Sequence, residues 1–403
     1  MNFLKFLFYL ILLTLPLGEL LRIEIGKNII LKPIDLLVGL SGITTIIIYS
    51  ILKQRRIAKS YITNPLAFFA AIALISLIIN SISLQSVQIF TSLLYWIRFV
   101  SYALIYYLVL ILDKPAVKHG QRYLFISGVI FMILGFVQYF LYANLRNLYY
   151  LGWDEHNYRL FSTFLDPNFA GAFLVLFLIY LAAFLNSFLS LREKAKAIKV
   201  SIVSVLTLVA VFLTYSRSAL IMLLVSITTY FFLIGKKKFL LLPSVLIVSF
   251  LIILSPTFNK ENTNIFRTTS SFARLETYSN ALRIIYDNPV IGVGFNAYRY
   301  AQESYGFHPI SPKYPDHASS GTDNSFLFIA ATTGIFGLSA YLFLFYKVVV
   351  RALFLNKKRN KIIPPVVIAS ISGLIVNSFF INSLFYPSIM LWMWVLIGLM
   401  DQE

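Results

Sequence analysis

The stretch TLVAVFLTYSRSALIMLLVSITTYFFLIG, residues 207–235, decides the fold class. As one straight helix it would run about 43 Å at ~1.5 Å per residue, against a hydrocarbon core of about 30 Å. The run therefore has to turn back on itself. The polar group in its middle, Tyr215-Ser216-Arg217-Ser218, marks where. That reading gives two membrane helices joined by a tight hairpin, with an arginine at the membrane edge.

Similar apolar runs recur on both sides of this pair. Candidate spans are 4–21, 31–52, 63–81, 88–111, 121–143, 167–190, 198–216, 218–235, 239–256, 324–346, 362–382 and 384–400. Spanning takes roughly 17 to 25 mostly apolar residues, so an all-α polytopic membrane protein of about 12 transmembrane helices is expected. The composition agrees: 59% of the 403 residues are hydrophobic, 12% are charged and the mean hydropathy is +0.80. Soluble domains are nearer a quarter charged, and so few polar groups could not cover this chain against water. Residues 1–403 are thus read as a single membrane domain, with 257–323 as a long external loop carrying short helices between the ninth and tenth spans. The first run leads into LGELLR rather than a small-residue cleavage site, so it is expected to be retained.

The net charge of +18 suggests nucleic acid, but the positions of the charges exclude it. Most of the basic residues cluster in KQRRIAK (53–59), DKPAVKHGQR (113–122), REKAKAIK (192–199), GKKK (235–238) and KVVVRALFLNKKRNK (347–361), between apolar runs. Such clusters hold loops on the cytoplasmic side, which places both termini inside and 257–323 outside. In that loop Lys and Arg balance Asp and Glu, leaving no polybasic surface. Cys is absent, and the four His, at 119, 156, 308 and 317, have no metal-ligand spacing. No metal or cofactor is expected. There is no P-loop, dinucleotide glycine fingerprint, HExxH or GxSxG, so an activated substrate or an ion gradient must supply any energy.

Several charged residues need a reason to lie near lipid. Arg217 is flanked by apolar sequence, and its length would let it snorkel to the interface or face a cavity. Arg98 lies nearer mid-span and requires a partner such as Asp35 or Asp166, or a buried network. Arg159 and Asp166 flank STFL in YRLFSTFLDPNFAG, and Asp323-Asn324 stands where the chain re-enters the membrane, with Asp323 suited to cap the next helix. In FARLETYSNALRIIY (272–286), Phe272, Leu275, Tyr278, Leu282 and Ile285 share a helical face, so an interfacial helix or a lid is expected. Asn288-Pro289 and the turn VIGVGFNAYRY follow. Arg217, Arg274, Arg283 and Arg299 gather on the outer side in this reading. Guanidinium forks match phosphate oxygens, which points to an external pyrophosphate site.

Four segments carry a family likeness. RLFSTFLDPNFAGAFL (159–174), LTYSRSALIML (213–223), ARLETYSNALRIIYDNPVIGVGFNAY (273–298) and DNSFLFIAATTGIFGLSAYL (323–342) together resemble the O-antigen ligase and polymerase superfamily. These are membrane glycosyltransferases that use undecaprenyl-pyrophosphate-linked glycans. The resemblance implies a bacterial cytoplasmic (inner) membrane, a polyprenyl-pyrophosphate-linked oligosaccharide donor, a glycan or lipid-glycan acceptor, and chemistry on the outer face. It also implies that no metal or nucleotide is used. Carried onto this chain, Arg217 and Arg274 would neutralise the leaving pyrophosphate, with Arg299 a further candidate. Arg159, Asp166, Tyr278, Asn324 and Arg98 complete the candidate substrate contacts. The family's ligases carry His-Asn where this chain has Asp323-Asn324, and Trp where it has Tyr278. Asp323 would then be the proton acceptor, although neighbouring arginines should push its pKa down. His317 could stand in only if the loop folds back. The absent His makes polymerisation of O-antigen, capsule or exopolysaccharide repeat units the first expectation. Ligase-type transfer of finished polymer to a lipid or wall acceptor is the second. A transporter or flippase of a lipid-linked anion is the rival class.

Overall fold

The computed structural model describes residues 1–26, 29–52, 60–255, 263–264, 268–307, 321–358 and 361–403. The apolar runs become α1 (Asn2–Thr14), α2 (Pro33–Leu52), α3 (Thr63–Asn80), α4 (Ser86–Ile111), α5 (Lys114–Leu141), α6 (Pro167–Ser190), α7 (Lys194–Leu213), α8 (Arg217–Leu233) and α9 (Leu242–Leu254). They continue as α10 (Thr269–Asp287), α11 (Tyr298–Ser304), α12 (Ser325–Asn356), α13 (Ile363–Asn377) and α14 (Pro387–Gln402). Two short antiparallel strands, β1 (Ile23–Gly26) and β2 (Ile29–Leu31), form a hairpin between α1 and α2 that an all-α reading does not anticipate.

The expectation of about twelve spanning helices is corrected. Among the described residues seven helices are long and apolar enough to cross a membrane: Pro33–Ser50, Thr63–Ser83, Ser86–Ile111, Lys114–Leu141, Pro167–Ser190, Lys194–Leu213 and Ser325–Asn356. Asn2–Leu17, Arg217–Leu233 and Ile363–Asn377 are apolar but shorter. An apolar run overstates the helix inside it, because apolar residues also fill turns. The first run leaves the α-helix at Leu15-Pro16-Leu17, which form a 3-10 turn. The run after Ser216 stops at Gly235, whose φ of +74° suits glycine. The last run contains Pro387, and α14 starts there.

Two helices make the centre. In α6 every residue from Ala170 to Leu181 is buried, and in α14 every residue from Ser388 to Met400. Helices apolar on all sides belong in an interior, not at a lipid boundary. Trp392 of α14 takes Phe173, Phe177 and Tyr180 of α6 against its ring at 5.0, 6.1 and 5.7 Å between centroids. Around them α8 packs on α13, α7 on α6, α4 on α14 and α3 on α12. Exposed Ile46, Ile75, Ile78, Phe140 and Val205 line the outer faces of the peripheral helices. Lipid is the solvent that tolerates them. The fold is all-helical apart from the hairpin, and largely membrane-embedded.

Candidate active site

Three helices begin at one end of the bundle, each with a cap written in its sequence. Asp166 caps α6, accepting from Asn168 N at 2.6 Å and Phe169 N at 3.3 Å, with Pro167 in the first turn. Ser216 caps α8 by accepting from Ala219 N, after Tyr215 turns the chain at φ +47°. Asn324 caps α12, accepting from Phe326 N at 2.9 Å and Leu327 N at 3.0 Å. The expectation that Asp323 is this cap is therefore corrected: the next residue does that work. Among the described residues no hydrogen bond to the Asp323 carboxylate is found. Helix N-termini carry partial positive charge, so three of them at one place favour an anion.

The loop ahead of α6 is fastened to the α7–α8 hairpin. Buried Arg159 donates Nε to Thr214 O at 2.8 Å, and Leu160 N donates to Leu213 O at 2.8 Å. Ser216 Oγ lies 2.9 Å from Asn168 Oδ1 and bridges the first turns of α6 and α8. Gln138, from α5, accepts from Phe161 N and Ser162 N at 2.8 and 3.0 Å and donates to Arg159 O at 3.2 Å. Nothing in the sequence around Gln138 signalled this role. Arg159 emerges as a brace between two segments.

Arg274 arrives on α10, which is anchored through the turn that follows it. At Gly334, φ +65° and ψ −169°, α12 is broken. Residues 289–294 fill the break: Val293 N donates to Ala331 O at 2.9 Å, Gly294 N to Thr332 O at 3.1 Å, and Ile335 N to Pro289 O at 2.9 Å. Ser76 Oγ of α3 adds bonds to Ile291 O at 2.7 Å and Thr332 O at 2.8 Å. Broken helix is tolerated at membrane depth only when its backbone groups are re-satisfied in this way. A Cβ at Gly334 would come 2.1 Å from Val290 O, so glycine is required there on two counts. The GxG turn is thus the plug that ties α10 to α12.

Tyr278, one turn after Arg274, donates its hydroxyl to Phe379 O and lies 3.5 Å from Asp323 O. Phe379 and Ser378 follow α13, and Ser378 O accepts from Ser325 N at 2.9 Å. The tip of α13 is therefore part of the site, which the sequence did not indicate. α10 exposes Phe272, Leu275, Leu282 and Tyr286, while Ala281 and Ile284 are buried against α11 and α12. The amphipathic reading of α10 agrees with this.

The electrostatics distinguish the place from an ordinary helix junction. Arg217 and Arg274, distant in the chain, lie near enough to repel each other. Burial raises the pKa of the half-buried Asp323 above its ordinary value; Arg274 opposes this, and Asp166 and Asp154 reinforce it. The expectation that arginines would depress Asp323 is corrected, because desolvation outweighs them. Asp166 is likewise raised by burial, against its own cap bonds, Arg159 and Arg274. Asp323, Asp166, Arg274 and Arg217 thus form one interacting set, with Tyr278, Asn324 and Arg159 around it.

Arg98 stands elsewhere. Arg98 donates to Asp35 at 2.7 Å and Ile30 O at 2.9 Å and stacks on Tyr95 at 4.8 Å. With Asp35 and Tyr102 it lines a separate cavity of about 160 Å³ between the hairpin, α2 and α4. Arg299 is on α11 between Tyr298, which neighbours Asp323 and Thr322, and Tyr300, which neighbours Thr91 and Tyr95. His317 lies outside the described residues. Among the described residues no group of three or more His, Asp or Glu could hold a metal ion.

Fold and site together define a multi-pass membrane protein with arginines, aspartates and three helix N-termini gathered at one end of its bundle. Residues 202–342 match the family model described as O-antigen ligase. The match runs from α7 into α12 and takes in Arg217, Arg274, Tyr278, Arg299, Asp323 and Asn324, while Arg98, Arg159 and Asp166 precede it. It favours the ligase over the polymerase among the expectations from sequence. No curated protein matches the chain.

Proposed function

We propose that the protein transfers a glycan from a polyprenyl-pyrophosphate carrier to a lipid or wall acceptor, in the manner of an O-antigen ligase, on the extracytoplasmic side. The single observation that carries this is the approach of Arg217 to Arg274 beside three capped helix N-termini. Arginines brought together at a membrane edge are costly, and a dianionic group bound beside them would offset that cost. The family match over 202–342 supports the same reading. Lys194, Lys196, Lys236, Lys237, Lys238, Lys357 and Lys358 stand at or beyond the helix ends remote from the site. Their position supports a cytoplasmic orientation for that end.

In the reaction an acceptor hydroxyl oxygen bonds to the anomeric carbon, and the bond from that carbon to the phosphate oxygen breaks. The pyrophosphate leaves on its lipid with the bonding pair, stabilised by Arg217 and Arg274. Asp323 takes the hydroxyl proton. Its raised pKa suits it better to this than an ordinary exposed aspartate, since a general base works best near the operating pH. Preplaced charge around a leaving group can be a large catalytic term, on the order of 10²–10³ per donor removed.

The test is reconstitution with polyprenyl-pyrophosphate oligosaccharide, with and without added acceptor. A single transfer that requires the acceptor is expected. Laddered polymer would establish polymerisation instead, and movement of intact substrate across the vesicle would establish transport. Arg217→Ala and Arg274→Ala should each lower turnover at least about 10²-fold while the protein stays folded. Normal turnover in either variant would end their assigned role.

A further inference from the structure

Asn377 is the last residue of α13, and the tip it belongs to touches the site from several sides. Ser378 O accepts from Ser325 N of α12, and Phe379 O accepts from Tyr278 of α10. The face of α13 carrying Ser370, Gly373 and Asn377 packs on α8, where a Cβ at Gly373 would meet Ser226 Oγ and Met222. Because α8 starts with Arg217 at the site end and α13 finishes there, Asn377 lies at the arginine end of this seam.

The side chain of Asn377 is 0% exposed, and among the described residues neither Oδ1 nor Nδ2 has a hydrogen-bond partner. Two other asparagines at helix C-termini behave differently. Asn80 donates Nδ2 to Ser76 O at 2.9 Å and to Gly292 O at 3.0 Å. Asn288 donates to Ile284 O at 3.1 Å and to Tyr305 Oη at 3.2 Å. Bonding back to the carbonyl four residues earlier is thus the local solution in this fold, and Asn377 does not use it. The buried hydroxyls of Ser226 and Ser370 also lack partners, but they can rotate onto their own helix. A back-bond from Nδ2 of Asn377 would still leave its Oδ1 unmet. A buried polar group without a partner is uncommon enough to require a cause.

We propose that Asn377 binds the sugar next to the diphosphate, which makes it a specificity-determining residue of the site. The inference rests on the glycan-transfer reading above. Both halves of the amide want a partner, one as acceptor and one as donor. An ionised phosphate only accepts and would leave Oδ1 unmet, whereas adjacent sugar hydroxyls both donate and accept. The arginines then take the charge and the amide takes the sugar. Asn377 faces α8 at the end where that helix begins with Arg217, and the sugar reaches it where the first turn of α8 and the tip of α13 part.

The experiment uses the full chain in detergent, with Asn377→Leu and Asn377→Asp beside wild type. Unfolding temperature is measured alone, with polyprenyl pyrophosphate, and with the same carrier bearing its oligosaccharide. Asn377→Leu should unfold at a higher temperature than wild type in the absence of ligand, since an apolar isostere removes an unmet amide. It should bind the bare carrier as wild type does and the glycan-bearing carrier at least about tenfold more weakly. Asn377→Asp, which keeps the acceptor and loses the donor, should fall between. A lower unfolding temperature for Asn377→Leu would identify a structural amide and overturn the proposal. Equal weakening toward both ligands, or none toward either, would overturn it too. If wild type bound neither carrier, the glycan-transfer reading itself would fall, and this inference with it.

Discussion

Two groups of charged residues at the same end of the bundle are built on opposite rules. In the first, each cation meets a carboxylate and a tyrosine completes it. Lys32 pairs with Glu19, which also accepts from Tyr386 Oη at 3.1 Å; Arg98 pairs with Asp35, which accepts from Tyr102 Oη at 2.8 Å. In the second, Arg217 and Arg274 lie near enough to repel each other, Asp166 neighbours Asp323, and Arg274 acts on both carboxylates without a close ion pair to either. The outcome for the carboxyls follows. Burial pushes Glu19 up, but Lys32, Arg22 and Tyr386 outweigh it and leave the group below its ordinary range. Burial pushes Asp323 up and Arg274 does not outweigh it. In the first group opposite charge outweighs the cost of burial, and in the second it does not.

The largest expected effect breaks the paired group. Lys32→Met strands a buried carboxylate and should cost roughly 3–5 kcal/mol in unfolding experiments in detergent. Adding Glu19→Gln should recover most of the loss. Since Glu19 is depressed, its stabilisation is present above its unfolded pKa and fades as pH falls through the folded value. In Glu19→Gln that acid-induced loss should shrink. A Lys32→Met protein as stable as wild type would show the pair to be idle.

Next comes Asp323, where the sign reverses. With its pKa raised, the folded state favours the protonated form, so its contribution is greatest below the unfolded pKa and is lost as pH rises through the folded one. Asp323→Asn should therefore gain stability at neutral pH relative to wild type. It should also lose about 10²-fold in turnover, together with the acidic limb of the pH–rate profile. Full turnover would remove Asp323 from the chemistry. The smallest effect is at its neighbour: Asn324→Ala should lose about 1 kcal/mol of stability as a missing helix cap. A larger stability loss at Asp323 than at Asn324 would reverse the assignment of the cap.

Much of this was legible in the residues. The apolar runs announced membrane helices, the Ser-Arg-Ser turn is where α8 starts, and Asn288-Pro289 closes α10. Helix lengths were not legible, since leucine and phenylalanine serve as readily in the 3-10 turn at Leu15–Leu17 as in a span. Arg98 required a partner such as Asp35 or Asp166, and Asp35 supplies it at 2.7 Å; the sequence could not choose between them, since both lie on other segments. The break at Gly334 was hidden in an apolar run, for the groups that make it possible come from residues 289–294 and Ser76. Gln138 and Asn377 carried no signal at all. Their importance lies in which partners they have, or lack, in three dimensions.

The most direct measurement is a double-mutant cycle on the binding of polyprenyl pyrophosphate, using Arg217→Met, Arg274→Met and the pair together. If one diphosphate sits between both guanidiniums, each single change weakens binding. The double change then departs from the sum of the two by about 0.5–3 kcal/mol. Strictly additive losses, or wild-type affinity in either single variant, would place the two arginines at separate tasks and contradict the shared site.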